Sequence, residues 1–430
     1  MIYYQNGSIE NDLSHSDLQQ GLYEAFEKMG VKEKVLIVPP DYTRFQSRAG
    51  ELTEMSWKYY GDKITDILPA LGTHTPMTNT QISHMFGDTP RSLFRVHDWR
   101  NDVVTLGEVP SEYVKEVSDG AVDFSWPVQV NRLLLEGDFD LMLSIGQVVP
   151  HEVVGMANHN KNILVGTGGV EAINKSHFVG AAYGMEKMMG HADTPVRKIF
   201  NYGSEKYLKE YPIVYILTVV GVNKEGKIQT YGLFVGDSLE VFDMAAKLSL
   251  QVNFQMVEKP LDKVIVWLDS SEFKSTWLGN KSIYRTRMAI ADGGELIVLS
   301  PALIEFGEDK EIDRLIRKYG YFGTPNTLKA VDENEELRNN LSAAAHLIHG
   351  SSEGRFSVTY CPGKNPENLT KEEIESVGFK WGDIDEIMQR YSVNSLKEGL
   401  NIMEDGEEIY YISSPALGLW AHKERFELLK

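Results

Sequence analysis

Cysteine is nearly absent: Cys361 is the only one in 430 residues, which excludes an intrachain disulfide and a cysteine-built zinc site. Long apolar runs are missing too. No stretch reaches the ~18 uninterrupted apolar residues that a membrane helix needs. The N-terminal MIYYQNGSIENDLSHSD has no basic segment leading into an apolar core, so no secretory signal is expected. Basic residues are in deficit, 43 Lys and Arg against 62 Asp and Glu, for a formal charge of −19. That balance argues against nucleic acid as a partner, which would demand a basic stripe to neutralise phosphates. An anionic small substrate stays open, because one or two local arginines decide that. Internal repeats and low-complexity tracts are also lacking. The expectation is a globular protein of a reducing, cytoplasmic compartment with no membrane partner.

What is present is an α/β rhythm, short apolar runs alternating with amphipathic stretches. Residues 15–30 read as a helix closed by Gly30. KVLIVPP (34–40), ITDILPALG (64–72), FDLMLSIGQVVP (139–150) and NILVGTGG (162–169) read as four buried strands, the last leading into a helix from about Val170. The segment 213–237 reads as a β-hairpin turning at Asn223–Gly226, and 238–257 as a helix. KPLDKVIVWLD (259–269) and GGELIVLSP (293–301) restart the α/β pattern. The length and this restart predict two domains, 1–258 and 259–417, each a mostly parallel sheet flanked by helices. The tail 418–430 is expected to fold back onto the first domain, and the active site to occupy the crevice between the two.

The residues that follow each strand carry the chemistry. Asp41-Tyr42-Thr43-Arg44 follows the first, Gly72-Thr73-His74 the second, His151 the third and Gly166-Thr167-Gly168-Gly169 the fourth. In an open parallel sheet the carboxyl ends of the strands face one crevice, where ligands bind. Each residue has a bland reading as well. His74 and His151 could be ordinary loop histidines, and Arg44 could pair with Asp41 on the surface. Lys161 could face solvent, and His177 could be a satisfied helix residue. The glycine turn lacks the G-x-G-x-x-G pattern of a dinucleotide site, yet a turn opening a helix can present free N–H groups to a phosphate. His159 and His191 have no partner at a metal-binding spacing and read as structural.

Taken together these residues resemble the lactate racemase family, whose members use a nickel-pincer nucleotide. The family pattern of Asp-x-Thr-Arg is matched by Asp41, Thr43 and Arg44, and Gly-x-His by Gly72-Thr73-His74. A histidine, a lysine ten residues on and a second histidine sixteen beyond it are matched by His151, Lys161 and His177. The resemblance implies a racemase or epimerase of a 2-hydroxy acid working by proton-coupled hydride transfer. It implies Lys161 as the tether of the cofactor, a pyridinium thioamide/thiocarboxylate mononucleotide, and His177 as its nickel ligand. His74 and His151 are implied as alternating acid and base. Arg44, with Tyr284 and Arg285, is implied to bind substrate. Asp41 and Thr43 are implied to shape the substrate pocket or the cofactor site, and Gly168 and Gly169, in the glycine turn, are the candidates to hold the cofactor's phosphate. Recombinant protein made without the cofactor-synthesis proteins, the implied partners, would lack the nucleotide.

The chain also departs from the lactate pattern. Asn158-His159-Asn160 stands where Gly-Gly-Arg precedes the lysine, and Tyr284-Arg285-Thr286-Arg287-Met288 stands where Tyr-Gln-x-x-Lys is usual. The family's substrate-side tryptophan has no match near ELRNNLSAAAHLIHG. Two extra arginines favour a more acidic or more hydroxylated acid, such as a sugar acid. The alternative reading is a divalent-metal-dependent sugar or sugar-acid isomerase or hydrolase with the same histidines as ligands. A carboxylate-binding protein without chemistry is a further rival, and a homo-oligomer stays open.

Overall fold

The computed structural model describes residues 1–223, 227–307, 309–416 and 418–427. The chain divides into two compact units, one of Met1–Val179 with Met188–Asn253, the other of Gly180–Lys187 with Phe254–Lys430.

The first unit holds β1 (Ile2–Gly7), β2 (Val35–Val38), β3 (Ile64–Ile67), β4 (Val103–Val109), β5 (Trp126–Asn131), β6 (Leu141–Gln147), β7 (Pro150–His151), β8 (Gly155–Met156), β9 (Ile213–Val222) and β10 (Ile228–Gly236). Six of these form one sheet in the order β1-β10-β9-β6-β2-β3. Strands β3, β2, β6 and β9 run parallel, whereas β10 and β1 are antiparallel additions. β9 and β10 are the two arms of the expected hairpin, and most of its turn, 224–226, lies outside the described residues. The expected first helix runs His15–Met29. Ser14 and Asp17 close a capping box at its start, and Gly30, at φ 72°, ends it. Its buried face of Leu18, Leu22, Ala25 and Phe26 packs with Val35, Ile37 and Leu143 from the sheet. Each such leucine contributes roughly 1.5–3 kcal/mol of burial.

One strand assignment is corrected. NILVGTGG is not a fourth strand: Asn160–Leu164 is a short helix, and the glycines form the turn into the helix Val170–Tyr183. Three apolar residues in a row, Ile163–Val165, suit a buried helix turn as well as a strand. Beside β6 the sheet has no place for a further strand, because β6 already has β9 on one edge and β2 on the other. Asn162 instead lies over the sheet, its Nδ2 donating to Val38 O and Ser144 Oγ, both at 3.0 Å.

The second unit holds β11 (Phe254–Val257), β12 (Leu261–Trp267), β13 (Ile290–Ser300), β14 (Ser357–Pro362), β15 (Lys380–Trp381), β16 (Gly399–Ile402), β17 (Glu408–Ile412) and β18 (Leu419–His422). Its sheet has the order β15-β14-β13-β12-β17-β16, parallel except for β16. The helix expected over 238–257 covers Leu239–Asn253, and its last four residues become β11. β18 pairs in parallel with β11, so the tail is grouped with the second unit rather than returned to the first. That pairing supplies the ladder partner β11 otherwise lacks. Among the described residues no helix is long and apolar enough to cross a membrane.

Candidate active site

The site is assembled within the first unit by the loops that leave β2, β3 and β6. Beyond β2, Asp41 stands immediately before a 3-10 turn, Tyr42–Ser47, and is only 5% exposed. One carboxylate oxygen accepts from Thr43 Oγ1 at 2.5 Å and the other lies 2.6 Å from His74 Nδ1. Burial acts to raise the Asp41 pKa. The His74 and Thr43 hydrogen bonds, with the nearby Arg44 charge, outweigh it and hold the carboxyl below its usual range. The surface ion pair between Arg44 and Asp41 is not what forms. Arg44 pairs with no carboxylate among the described residues, and its guanidinium stays available for an anion.

His74 reaches Asp41 because Gly72 turns the chain at φ 56°, a left-handed geometry that glycine adopts without a Cβ penalty. The Gly72 N–H bonds Gly166 O at 2.9 Å, tying this loop to the glycine turn. The imidazole itself keeps a 56% exposed side chain.

His151 sits on the two-residue ladder of β7 and β8, opposite Gly155. It is 6% exposed, and its Nδ1 accepts from the Val153 N–H at 3.1 Å. Burial drives its pKa well below the imidazole range. Glu152 opposes this, while Lys161, Arg44 and His177 add to it. Lys161 opens the helix Asn160–Leu164. It and His177 are closely surrounded, yet each keeps part of its surface within reach of solvent. Burial, helped by Arg44 and Arg197, pushes the amine down to about 8. Burial and the Lys161 charge push His177 down to about 4, and its Nδ1 lies 2.7 Å from Ile173 O. Asp41, Arg44, His74, His151, Lys161 and His177 therefore lie within electrostatic reach of one another, although they come from five separate segments.

Two residues outside the sequence-derived set, Glu152 and Arg197, belong to this assembly. Glu152, next to His151, is the carboxylate felt by His151, Lys161 and His177 alike. Its adjacency to a candidate histidine was the one signal available. Arg197 is buried at 1% exposure and clamps the turn before Lys161. Nη2 donates to Met156 O at 2.6 Å, and Nη1 donates to Asn158 O at 3.2 Å and to Asn160 Oδ1. His159, read as structural, stacks on Tyr215 with ring centres 3.8 Å apart. Asn158 and His159 hold φ of 66° and 57°, the left-handed region, at the two positions where the lactate pattern has glycine.

Gly168 and Gly169 have packing roles. A Cβ on Gly168 would stand 2.2 Å from Leu164 O, and one on Gly169 would stand 2.5 Å from Gln129 Oε1. Gly168 O bonds His97 Nε2 at 3.0 Å, and the Ala172 N–H at the helix start is taken by Gln129 at 3.2 Å. Tyr284 and Arg285 belong to the second unit, where both are buried and Arg285 Nη1 donates to Gly418 O at 2.8 Å. Arg287, the other extra arginine, pairs there with Glu186.

The first-unit residues fit a tethered, nitrogen-ligated group. A carbonyl oxygen only accepts, so Nδ1 of His177 carries the proton and Nε2 keeps its lone pair, the form in which imidazole binds nickel. Lys161, at about 8, has an uncharged fraction near neutral pH, and only an uncharged amine can form a covalent link. A metal held by protein alone fits less well, since among the described residues no three His, Cys, Asp or Glu side chains are placed to share an ion.

Comparison with known proteins gives one consistent set of likenesses. Residues 6–189 match a family model described as the lactate racemase N-terminal domain. A lactate racemase from Thermoanaerobacterium thermosaccharolyticum is 25% identical over 283 residues, which is 62% of this chain but only 59% of that relative's length. A crystal structure of a Thermotoga maritima protein superposes with a TM-score of 0.80 at 23% identity, covering 97% of this chain and 100% of that one. The lactate racemase apoprotein of T. thermosaccharolyticum superposes with 0.66 at 17% identity, covering 96% and 90%. The two superpositions show a shared fold.

Proposed function

We propose, from the premise that this chain is a homologue of the lactate racemase family, that it racemises or epimerises a 2-hydroxy acid with a nickel-pincer nucleotide tethered at Lys161. The observation that carries this reading is that one depressed amine, three imidazoles and a guanidinium with no carboxylate partner among the described residues lie within electrostatic reach of one another. A mere carboxylate binder would need the guanidinium and nothing else.

The chemistry asks for this set. The hydrogen on the carbinol carbon of a 2-hydroxy acid is feebly acidic beside a carboxylate, so inversion through a carbanion is costly. Bound, the nucleotide would supply a reversible hydride acceptor, which avoids that carbanion. The chain's own residues do the remaining work. His177 ligates through Nε2. Arg44 binds the substrate carboxylate and so orients the hydroxyl. His74 and His151 handle the hydroxyl proton, and Asp41 stabilises the positive charge that His74 gains. The departures from the lactate pattern at Asn158–Asn160 and Tyr284–Met288 are the basis on which we put forward an acid other than lactate, a sugar acid being the class. The buried Cys361, whose thiol burial pushes up to about 12, takes no part and suits a reducing cytoplasm.

The test is co-expression with cofactor-synthesis proteins, intact-mass measurement, and a polarimetric screen over 2-hydroxy acids. A large mass increment lost in Lys161→Ala, together with racemisation lost in the same variant, is the expected result. Turnover that survives Lys161→Ala, or that needs only a free divalent ion, overturns the reading. Turnover of lactate alone overturns the sugar-acid class.

A further inference from the structure

We infer that Arg197 is a positioning residue for Lys161: from the helix Pro195–Gly203 its guanidinium holds the strained turn that ends at Asn160, and this hold fixes where the lysine side chain starts. The inference rests on the proposed tether for its functional meaning. Its structural content, a lysine aimed by a buried arginine, stands apart from any substrate.

The segment before Lys161 cannot set its own course. Asn158 and His159 are consecutive residues at φ 66° and 57°, a region disfavoured for any side chain with a Cβ. The helix that carries Lys161, Asn160–Leu164, is five residues long, too short to persist on its own hydrogen bonds. His159 at its start provides no side-chain cap. The direction of Lys161 is therefore fixed from elsewhere in the fold.

The start of the helix Pro195–Gly203 supplies the hold, gripping every second residue on the way to the lysine. Thr194 Oγ1 donates to Val154 O at 3.1 Å. Arg197 Nη2 donates to Met156 O at 2.6 Å, and Nη1 donates to Asn158 O at 3.2 Å and to Asn160 Oδ1. The Asn160 side chain relays the grip, its Nδ2 donating to Asn201 Oδ1 at 2.8 Å on the same helix. The acceptors of Arg197 thus bracket the left-handed pair, which can relax only by breaking these bonds. A guanidinium presents several donors in one rigid plane, whereas an ammonium in its place would reach one side of the turn or the other.

The arginine is also a fixed charge. It is 1% exposed and pairs with no carboxylate among the described residues, and its Cζ lies 4.1 Å from the centre of the Phe242 ring. Burial lowers its pKa to about 9, so it stays a cation at neutral pH. Lys161 feels that cation together with Arg44, while Glu152 and Asp41 oppose them and burial outweighs each. His151 and His177 are within electrostatic reach as well. Arg197 thereby acts on the amine twice, by placing it and by disfavouring its charge.

Amide hydrogen exchange on the cofactor-free protein tests the placement. In Arg197→Met and Arg197→Lys, the amides of Asn162, Val165 and Gly166, which bond His159 O and Lys161 O, should exchange about tenfold faster or more relative to the amides of β6 and β9. Equal acceleration across the first unit would mean only a general loss of stability and overturns the inference, as does no change at these three amides. Acetic anhydride labelling across pH, read by peptide mass, tests the charge. The apparent pKa of Lys161 should rise in Arg197→Met, each unit cutting the uncharged amine at neutral pH about tenfold, and should rise less in Arg197→Lys, which keeps the cation. An unchanged profile in Arg197→Met overturns the inference too. If Arg197→Met does not fold, Arg197→Lys decides by its exchange rates. Asn201→Ala, which removes only the relay, should loosen the same amides to a smaller degree. In protein co-expressed with the cofactor-synthesis proteins, the mass increment at Lys161 should become substoichiometric in Arg197→Lys, and a full increment there overturns the positioning role. Absence of an increment in the wild type sinks only the proposed function.

Discussion

Asp41, buried at the end of β2, accepts a hydrogen bond from Nδ1 of His74, an exposed residue beyond β3, at 2.6 Å. An otherwise mobile loop imidazole thereby acquires a set orientation and a counter-charge. Asp41→Asn keeps the shape and removes the charge, so activity should fall by roughly 10²-fold or more through the ring's orientation and tautomer. The stability effect has a definite sign. Asp41 has its pKa lowered in the fold, so its contribution is full above the ordinary carboxylate range and is lost as pH falls through the folded value. Denaturant titrations should show Asp41→Asn less stable than wild type at neutral pH, with the gap closing in acid.

Lys161 keeps an amine where burial opposes its charge. Lys161→Met should therefore gain stability while losing all activity, a rise on the order of 1 kcal/mol, or a few degrees in melting temperature. The lysine's pKa is lowered from 10.5 to about 8, so the penalty is full below about 8 and fades as pH rises toward 10.5. Melting curves of the two cofactor-free proteins at neutral and alkaline pH should converge. A wild type more stable than Lys161→Met at neutral pH would contradict this.

His177 is lowered to about 4 and His159 to about 3, chiefly by burial. Between these values and the ordinary 6.5 the unfolded chain binds protons that the folded one refuses, so stability should rise with pH across that window. Urea midpoints measured from pH 4 to 7 should climb, and the climb should be shallower in His177→Gln. A flat profile would mean that these rings are charged in the fold.

The glycine turn separates backbone from side-chain constraint. In Gly168→Ala the new methyl meets Leu164 O, a main-chain atom of the helix that carries Lys161. In Gly169→Ala it meets the end of the Gln129 side chain, which can shift at the cost of its bond to the Ala172 N–H. Gly168→Ala should cost about 1–3 kcal/mol and Gly169→Ala less. Equal melting temperatures for the two variants would refute the packing account.

His159→Gly sets two effects against each other. Glycine removes a left-handed strain of about 1 kcal/mol. Loss of a buried ring stacked on Tyr215 costs about 2–5 kcal/mol. The lost packing outweighs the relieved strain, and the variant should melt lower than wild type.

The sequence alone determined the α/β rhythm, the first helix with its stop at Gly30, and the positions where chemistry emerges from β2, β3 and β6, because periodicity, helix stops and strand ends are local properties. The spacing of His151, Lys161 and His177 was equally legible, since it is a count along the chain. Tertiary structure decided the rest. Beside β6 the sheet had no place for Asn160–Leu164 as a strand, because both edges of β6 were already occupied, which no local pattern reports. Arg197 came to clamp the Lys161 turn from a helix 36 residues downstream, by hydrogen bonds to backbone that any sequence supplies. The hydrogen-bond partner of each histidine was decided there too, a carboxylate for His74, an amide for His151 and a carbonyl for His177. Which partner faces a ring depends on where the folded backbone carries it, and residue identity does not state that.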